Sequence, residues 1–445
     1  MSRFAAEKGR QGFLAAAAGL FGLCLVQTAF AQVVGTPLGQ GYDAGTISLL
    51  SPQPLEQQFS PAPSREYTGL PIEGWMLYPS LLTGAIYDDN IFQTSTNRTA
   101  ALGLRFRPAI VATRQSGVHQ TTFYANGDFS IYPGNASAGN ALDAQIGFIH
   151  RWEVERDLTL SAAGQYALYT DMYTSGEIFS QNGGLATLNG PQRFESFSGS
   201  LSGLKSFDHV FVGLAGSISG TTYDTVNTTS GPLSQSYRDA IVPAASARLG
   251  YAVSPAIYAY SEASGNVNSV NDANYNSRGY RLVSGLGLNR ISLFNGEIFA
   301  GYQRQLYDNP QFGSQASPVY GGKLSWNPTP AWSLGAGLDE TFQNSGLQTV
   351  GNPTGGAARV TTASLSVNYG MAARWSASVR SGYSEVAYIN GGQVDHRWSA
   401  GASFNYTVFR NFGLTLDYTF VDVISNVRSA SLVRNQLTLG TTYKY

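Results

Sequence analysis

Cysteine, charge and long apolar runs are all scarce in this chain. The 445 residues hold one cysteine, Cys24, and it lies in an amino-terminal stretch expected to be removed. A chain left with no thiol has no disulfide staple, no thiolate metal site and no cysteine nucleophile. Charged residues make up 12 % of the sequence, against about 25 % in an ordinary soluble domain. The net charge of −1 excludes an overall polyelectrolyte surface of the kind that holds nucleic acid. Beyond the amino-terminus no segment approaches the about 20 apolar residues that span a bilayer as a helix. Only four histidines occur, His119, His150, His209 and His396, and none has the i, i+4 spacing of a metal site. No phosphate loop or dinucleotide fingerprint opens a helix, so neither a cofactor nor a metal is expected.

What is abundant is glycine (51), tyrosine (26) and phenylalanine (23), a composition rich in strand formers and small residues. Residues 1–31 read as an export signal: a basic start at Arg3, Lys8 and Arg10, an apolar run from Phe13 to Val26, and cleavage expected between Ala31 and Gln32. Residues 32–74, rich in Pro, Gly and Ser, read as a loosely ordered periplasmic arm. From Trp75 to Tyr445 the pattern changes to segments that alternate apolar with small polar residues, separated by short and longer connections in turn.

Eight tight turns are expected, near Gln115–His119, Glu155–Asp157, Phe207–His209, Ser254-Pro255, Ile291–Asn295, Asn327–Pro330, Ala372–Arg374 and Arg410-Asn411. Nine longer loops interleave with them, so the count is about 18 strands, with 16 as the alternative. A period of roughly 40 residues also fits a propeller, but each blade needs four short strands where this chain has two long ones. The expected fold is all-β: a transmembrane, antiparallel up-and-down barrel with short periplasmic turns and longer extracellular loops.

Facing follows from alternation. Trp398, Ala400, Ala402 and Phe404 share one face, and Arg397, Ser399, Gly401 and Ser403 share the other. A barrel this wide cannot fill its interior with side chains, so the polar set is assigned to a hydrated lumen and the apolar set to lipid. On that assignment Arg105, Arg107, Arg151, Arg248, Arg281, Lys323, Arg380, Arg397 and Lys444 point inward, against Asp128, Glu153, Asp339 and Asp417. The lumen is then modestly cationic, leaning toward anions, unless these charges simply pair and stiffen the wall. Tyr87-Asp88-Asp89-Asn90 ends the first strand. It reads as an Asx-rich loop start, with cation binding as the sharper alternative.

Two resemblances add to this. The last strand, QLTLGTTYKY, with Tyr443 and the carboxy-terminal Tyr445 on its apolar face, looks like the terminal signal read by the barrel-assembly machinery of bacterial outer membranes. The stretch Tyr78–Phe92, YPSLLTGAIYDDNIF, with Arg107-Pro108 in the next strand, resembles the putative beta-barrel porin type 2 family. That resemblance implies an outer-membrane barrel in a Gram-negative bacterium and assigns no catalytic residues. It makes a porin-like channel for small anionic solutes the first reading and an exopolysaccharide conduit the alternative. A structural or adhesive barrel, or a barrel-borne hydrolase for which only His150 beside Arg151 is suitably placed, stands further off. The partners implied are outer-membrane lipid, the assembly machinery and a polysaccharide or small anions.

Overall fold

The computed structural model describes residues 69–171, 191–228, 231–291, 293–329, 331–344, 357–371, 374–389, 392–426 and 431–445. The export signal, its cleavage site at Ala31 and Gln32, and most of the arm lie outside the described residues. The strands, in chain order, are β1 (Leu70–Ile72), β2 (Trp75–Asp88), β3 (Ala101–Ser116), β4 (His119–Ile131), β5 (Ala141–Glu155), β6 (Leu158–Asp171), β7 (Gln192–Phe207) and β8 (Val210–Tyr223). They continue as β9 (Val226–Thr228), β10 (Gly231–Leu233), β11 (Ala240–Ser254), β12 (Ile257–Val270), β13 (Ser277–Ile291), β14 (Phe294–Tyr307), β15 (Ser314–Thr329) and β16 (Trp332–Asn344). The last five are β17 (Ala357–Met371), β18 (Trp375–Tyr388), β19 (Val394–Phe409), β20 (Phe412–Ser425) and β21 (Leu432–Lys444).

Eighteen of these close into one antiparallel barrel. Each strand from β2 to β8 and from β11 to β21 pairs with its successor, β8 pairs with β11, and β21 returns to pair with β2. The tight connections and longer loops counted from the sequence alternate between these strands as expected. Closure leaves no free sheet edge in the barrel, which is what a sheet in a bilayer requires. The small hairpin of β9 and β10 sits in the long loop between β8 and β11.

The amino-terminal end of β2 runs past the end of β21. There β1 folds back on it, pairing Leu70 with Leu77 and Ile72 with Trp75. Glu73 and Gly74 both take positive φ, 46° and 83°, the geometry of a two-residue hairpin turn whose twist matches the strands. The carboxy-terminus ends beside a proline: the Tyr445 amide donates to the Pro79 carbonyl at 3.2 Å.

Burial along each strand follows the two-residue period. In β20, Leu414, Leu416 and Tyr418 are exposed, while Thr415, Asp417 and Val421 are buried. In β21, Leu437, Leu439 and Tyr443 are exposed, as is Tyr445 just after it, and Gln436 and Thr438 are buried. The exposed set is the outer face. Its aromatic residues gather at the strand ends, as membrane interfaces favour. At the turn end Trp332 stacks on Tyr369 with ring centroids 4.2 Å apart, Trp375 lies 4.4 Å from Tyr406, and Phe294 stacks on Trp326 at 5.2 Å. Toward the loop end Tyr87, Tyr166, Tyr280, Tyr302 and Trp398 stand exposed. Turns are pinned by charge: Lys205 Nζ lies 2.6 Å from a Glu155 carboxylate oxygen and 2.9 Å from one of Asp157. The hydrogen bond from Lys205 holds the Asp157 carboxyl below the usual carboxylate range.

Candidate functional site: the inner wall of the barrel

The strand period delivers polar and charged residues to the inner face, and the register decides which of them meet. Arg105 and Arg107 are two apart on β3 and therefore both point inward. Both reach Asp128 of β4: Arg105 through Nε at 2.7 Å and Nη2 at 2.6 Å, Arg107 through Nε at 2.9 Å. Arg107 Nη1 also reaches Asp417 at 3.0 Å, across the seam where β2 and β21 close the barrel. Arg380 Nη2 approaches Asp417 from β18 at 3.5 Å, and Ser403 donates to the same carboxylate at 2.7 Å. Arg105 Nη1 donates to Thr438 of β21 at 3.1 Å. One network thus carries three guanidiniums and two carboxylates, and Asp417 is nearly inaccessible, at 4 %.

The opposite part of the wall is built differently. Arg248 of β11 donates through Nε to Glu262 of β12 at 2.7 Å and through Nη1 to Glu297 of β14 at 2.9 Å. Its guanidinium lies 4.2 Å from the ring centroid of Tyr260, a cation–π geometry, and the Tyr258 hydroxyl donates to Glu297. Arg281 of β13 reaches Asp339 of β16 at 2.7 Å. Lys323 of β15 is half-buried opposite Glu297 in register, and Arg397 of β19 is half-buried opposite Ser384 and Val423. Around Arg248 the inner face is apolar: Leu204, Phe211, Ala252, Tyr258, Tyr260, Val283, Phe299 and Val319 form one buried cluster.

Sequence reasoning placed the inward arginines and missed two things. It read the inner face as polar throughout, whereas Tyr258, Tyr260 and Phe299 share that face with Glu262 and Glu297. Those strands alternate apolar against small residues on both faces, so the apolar set alone does not name the lipid side. It also left out inward acids, Asp88, Asp143, Glu262, Glu297 and Asp395 among them, which offset much of the cationic excess. Strand parity with the exposed Ile257, Val267 and Ile298 was the signal that would have found the two glutamates.

At the loop end the wall is capped by its own loops. Tyr275 and Phe312 pack on Val270 and Tyr307, and Ile389 from the loop between β18 and β19 packs against the same cluster. Ile91 and Tyr132 form a second cluster with Ile86.

The Tyr87-Asp88-Asp89-Asn90 motif is a clasp across the barrel seam. Asp88 accepts from Arg434 Nε at 3.0 Å and Nη2 at 2.6 Å, from Gln436 at 2.9 Å and from the Tyr132 hydroxyl at 3.3 Å. Asp89 accepts from the Asn435 amide at 2.6 Å and its side chain at 2.7 Å, and Asn90 donates to the Val433 carbonyl at 3.0 Å. Both Asp89 oxygens and Asp88 Oδ2 are engaged with the last strand, Asp88 Oδ1 accepts the Asn90 amide at 2.9 Å, and no cluster of metal-ligating side chains occurs among the described residues.

The four histidines are not all scattered. His119 opens β4, and its Nδ1 lies 3.4 Å from Nε2 of His150 on β5, while His150 Nδ1 lies 2.8 Å from the Thr121 hydroxyl. The pair sits on the outer face at the turn end, beside Trp152.

The family profile described as Putative beta-barrel porin 2 matches residues 62–445. The chain belongs to this family. The Putative beta-barrel porin 2 match covers every barrel strand, so the outer-membrane barrel reading applies to the whole described structure. None of the curated proteins matches the sequence. Among solved structures the chain is similar to the FrpB iron transporter of Neisseria meningitidis (F5-1 variant), with 10 % identity, 85 % of this chain and 83 % of that one covered, and a TM-score of 0.44. It is similar to the siderophore receptor PirA of Pseudomonas aeruginosa, with 9 % identity, 83 % and 80 % coverage, and a TM-score of 0.42. Similarity to OpdK of Pseudomonas aeruginosa with vanillate is 12 % in sequence, with 83 % and 99 % coverage and a TM-score of 0.38.

Proposed function

We propose that the protein is a passive outer-membrane channel and not an enzyme, and that its wall favours small hydrophilic anions. The observation that carries this is the inner-wall network in which Arg105, Arg107 and Arg380 surround Asp128 and Asp417. Asp143 stands opposite Asp128 in register, so the positive excess is centred on the Asp417 side, where Arg107 and Arg380 share one carboxylate, and fixed charge on a pore wall biases which ions enter. Apolar clusters, of Tyr275 with Phe312 and of Ile91 with Tyr132, sit at the loop-end mouth. Liposomes carrying the purified protein should swell faster in an isosmotic organic anion than in a neutral sugar of similar size. Equal swelling in both would remove the anion preference, and no swelling in either would remove the channel.

The charge balance gives a substitution test. Asp417→Asn takes away the carboxylate shared by Arg107 and Arg380 while keeping its shape. Anion over cation permeability should rise several-fold, read as a shift in reversal potential under a salt gradient. An unchanged reversal potential would show that this network does not face the conduction path.

A further inference from the structure

A shallow trough of about 990 Å³ lies on the lipid-facing side of the barrel where β6, β7, β8, β11, β12 and β13 pass. One row of register partners forms its floor and rims: Ala162, Leu201, Gly216, Ala245, Gly265 and Tyr280. Gly203, Ala247 and Ala263 repeat the small floor in the next row. Exposed Leu201 and Leu214 rise on one side and Tyr280 and Leu282 on the other.

The chain's own packing does not require the small residues here. A Cβ on Gly216 would meet nothing within 4 Å, and one on Gly265 only the Gly279 carbonyl at 3.6 Å. Glycines facing inward differ: a Cβ on Gly250 would strike the Phe211 ring, and one on Gly287 the Tyr258 ring. The trough is therefore kept open toward the membrane rather than toward the protein.

One end of the trough is polar. Its floor row continues from Ala162 to His150, Thr121 and Arg114. His150 is held by the Thr121 hydroxyl and by His119, and the exposed Arg114 guanidinium lies 5.8 Å from the Trp75 ring centroid. His150 lies near the turn end of β5 and Tyr280 near the loop end of β13, because the strands are tilted. The row thus climbs obliquely from the turn-side interface into the hydrocarbon. From Ala162 to Gly265 it crosses four strand spacings, about 19 Å at about 4.8 Å each, an oblique path through one leaflet of a hydrocarbon core about 30 Å thick.

We propose that this trough binds one phospholipid of the turn-side leaflet, with an acyl chain along the small-residue floor and the phosphate against Arg114 and His150. Charge complementarity selects the occupant: a guanidinium, a hydroxyl and an imidazole on one register row at the interface suit a phosphate diester, and the apolar trough leading from them suits the attached chain. The site is independent of what passes through the lumen. It depends only on the barrel's place in a membrane.

The test is native mass spectrometry of the purified protein released from micelles doped with palmitoyl-oleoyl phosphatidylglycerol. The wild type should retain one lipid. Gly216→Leu with Ala245→Leu, which gives the trough an ordinary lipid-facing surface, should lower retention at least tenfold. Arg114→Gln with His150→Gln should lower it several-fold. Ala402→Leu, on the outer face of β19, should leave it unchanged. Folding is checked by heat-modifiable electrophoretic mobility, and Ala247→Leu alone serves if the double variant fails to fold. Equal retention by wild type and filled variants would overturn the proposal. So would a second copy of the protein, instead of lipid, held in a filling-sensitive manner.

Discussion

Asp88→Ala should leave a barrel that folds poorly and loses its compact mobility at markedly lower temperature than the wild type. Asp88 is wholly inaccessible and takes three hydrogen bonds from Arg434 and Gln436 on the last strand. Removing it strands a buried guanidinium without its carboxylate, a loss of about 3–5 kcal/mol in measured buried pairs. The position magnifies the effect. β2 and β21 are the first and last strands of the barrel and pair over Ser80 to Asp88 only, so the clasp secures the one barrel seam that no turn or loop of the chain joins. A paired replacement that removes both charges is far less costly than breaking one half. Asp88→Asn with Arg434→Met should therefore recover much of the lost stability. Heat-modifiability and urea titration of the lipid-embedded protein read both variants. A single Asp88→Ala variant as stable as the wild type would show that strand pairing alone closes the barrel.

Arg248→Met should be comparably severe. Glu262 and Glu297 sit two strands apart and converge on this one guanidinium, whose side chain is 3 % accessible. Without it two carboxylates face each other inside an aromatic cluster, and a buried charge left without its partner costs about 3–5 kcal/mol. Glu262→Gln and Glu297→Gln added to Arg248→Met should restore most of the stability, because the amides carry no charge to bury. The urea midpoints of the single and triple variants decide it, and a triple variant no more stable than the single would attribute the loss to packing on Tyr260 instead.

Much of the architecture was legible in the sequence because its signals are local. The eight tight turns sit where apolar alternation breaks over a few residues, as at Gly117-Val118 and Arg410-Asn411. Facing was legible in strands such as β20, where Leu414, Leu416 and Tyr418 oppose Thr415 and Asp417. The rest depends on register, which a strand does not carry by itself. Asp88 and Arg434 lie 346 positions apart, and only ring closure brings them together, so the motif read as an Asx-rich loop start. His119 and His150 meet because Thr121 pairs with His150 and His119 with Trp152, whereas a search for spacing within one strand finds nothing. The inner aromatics Tyr258 and Tyr260 were hidden for a further reason. Inward Tyr258 and Tyr260 face outward Ala259 and Ser261 across the strand, which locally inverts the usual apolar-out rule, and their neighbours on β8, β13 and β14 pack against them. The clasp, the inner aromatic patch and the polar end of the outer trough are all built from cross-strand partners.

The most direct test of the channel is single-channel recording of the purified protein in a planar bilayer under a salt gradient. The inner-wall network predicts steady conductance steps with a reversal potential on the anion-selective side, moving further that way in Asp417→Asn and back in Arg380→Gln. A folded, heat-modifiable barrel that passes no current, or one whose reversal potential is cation-selective, would contradict it.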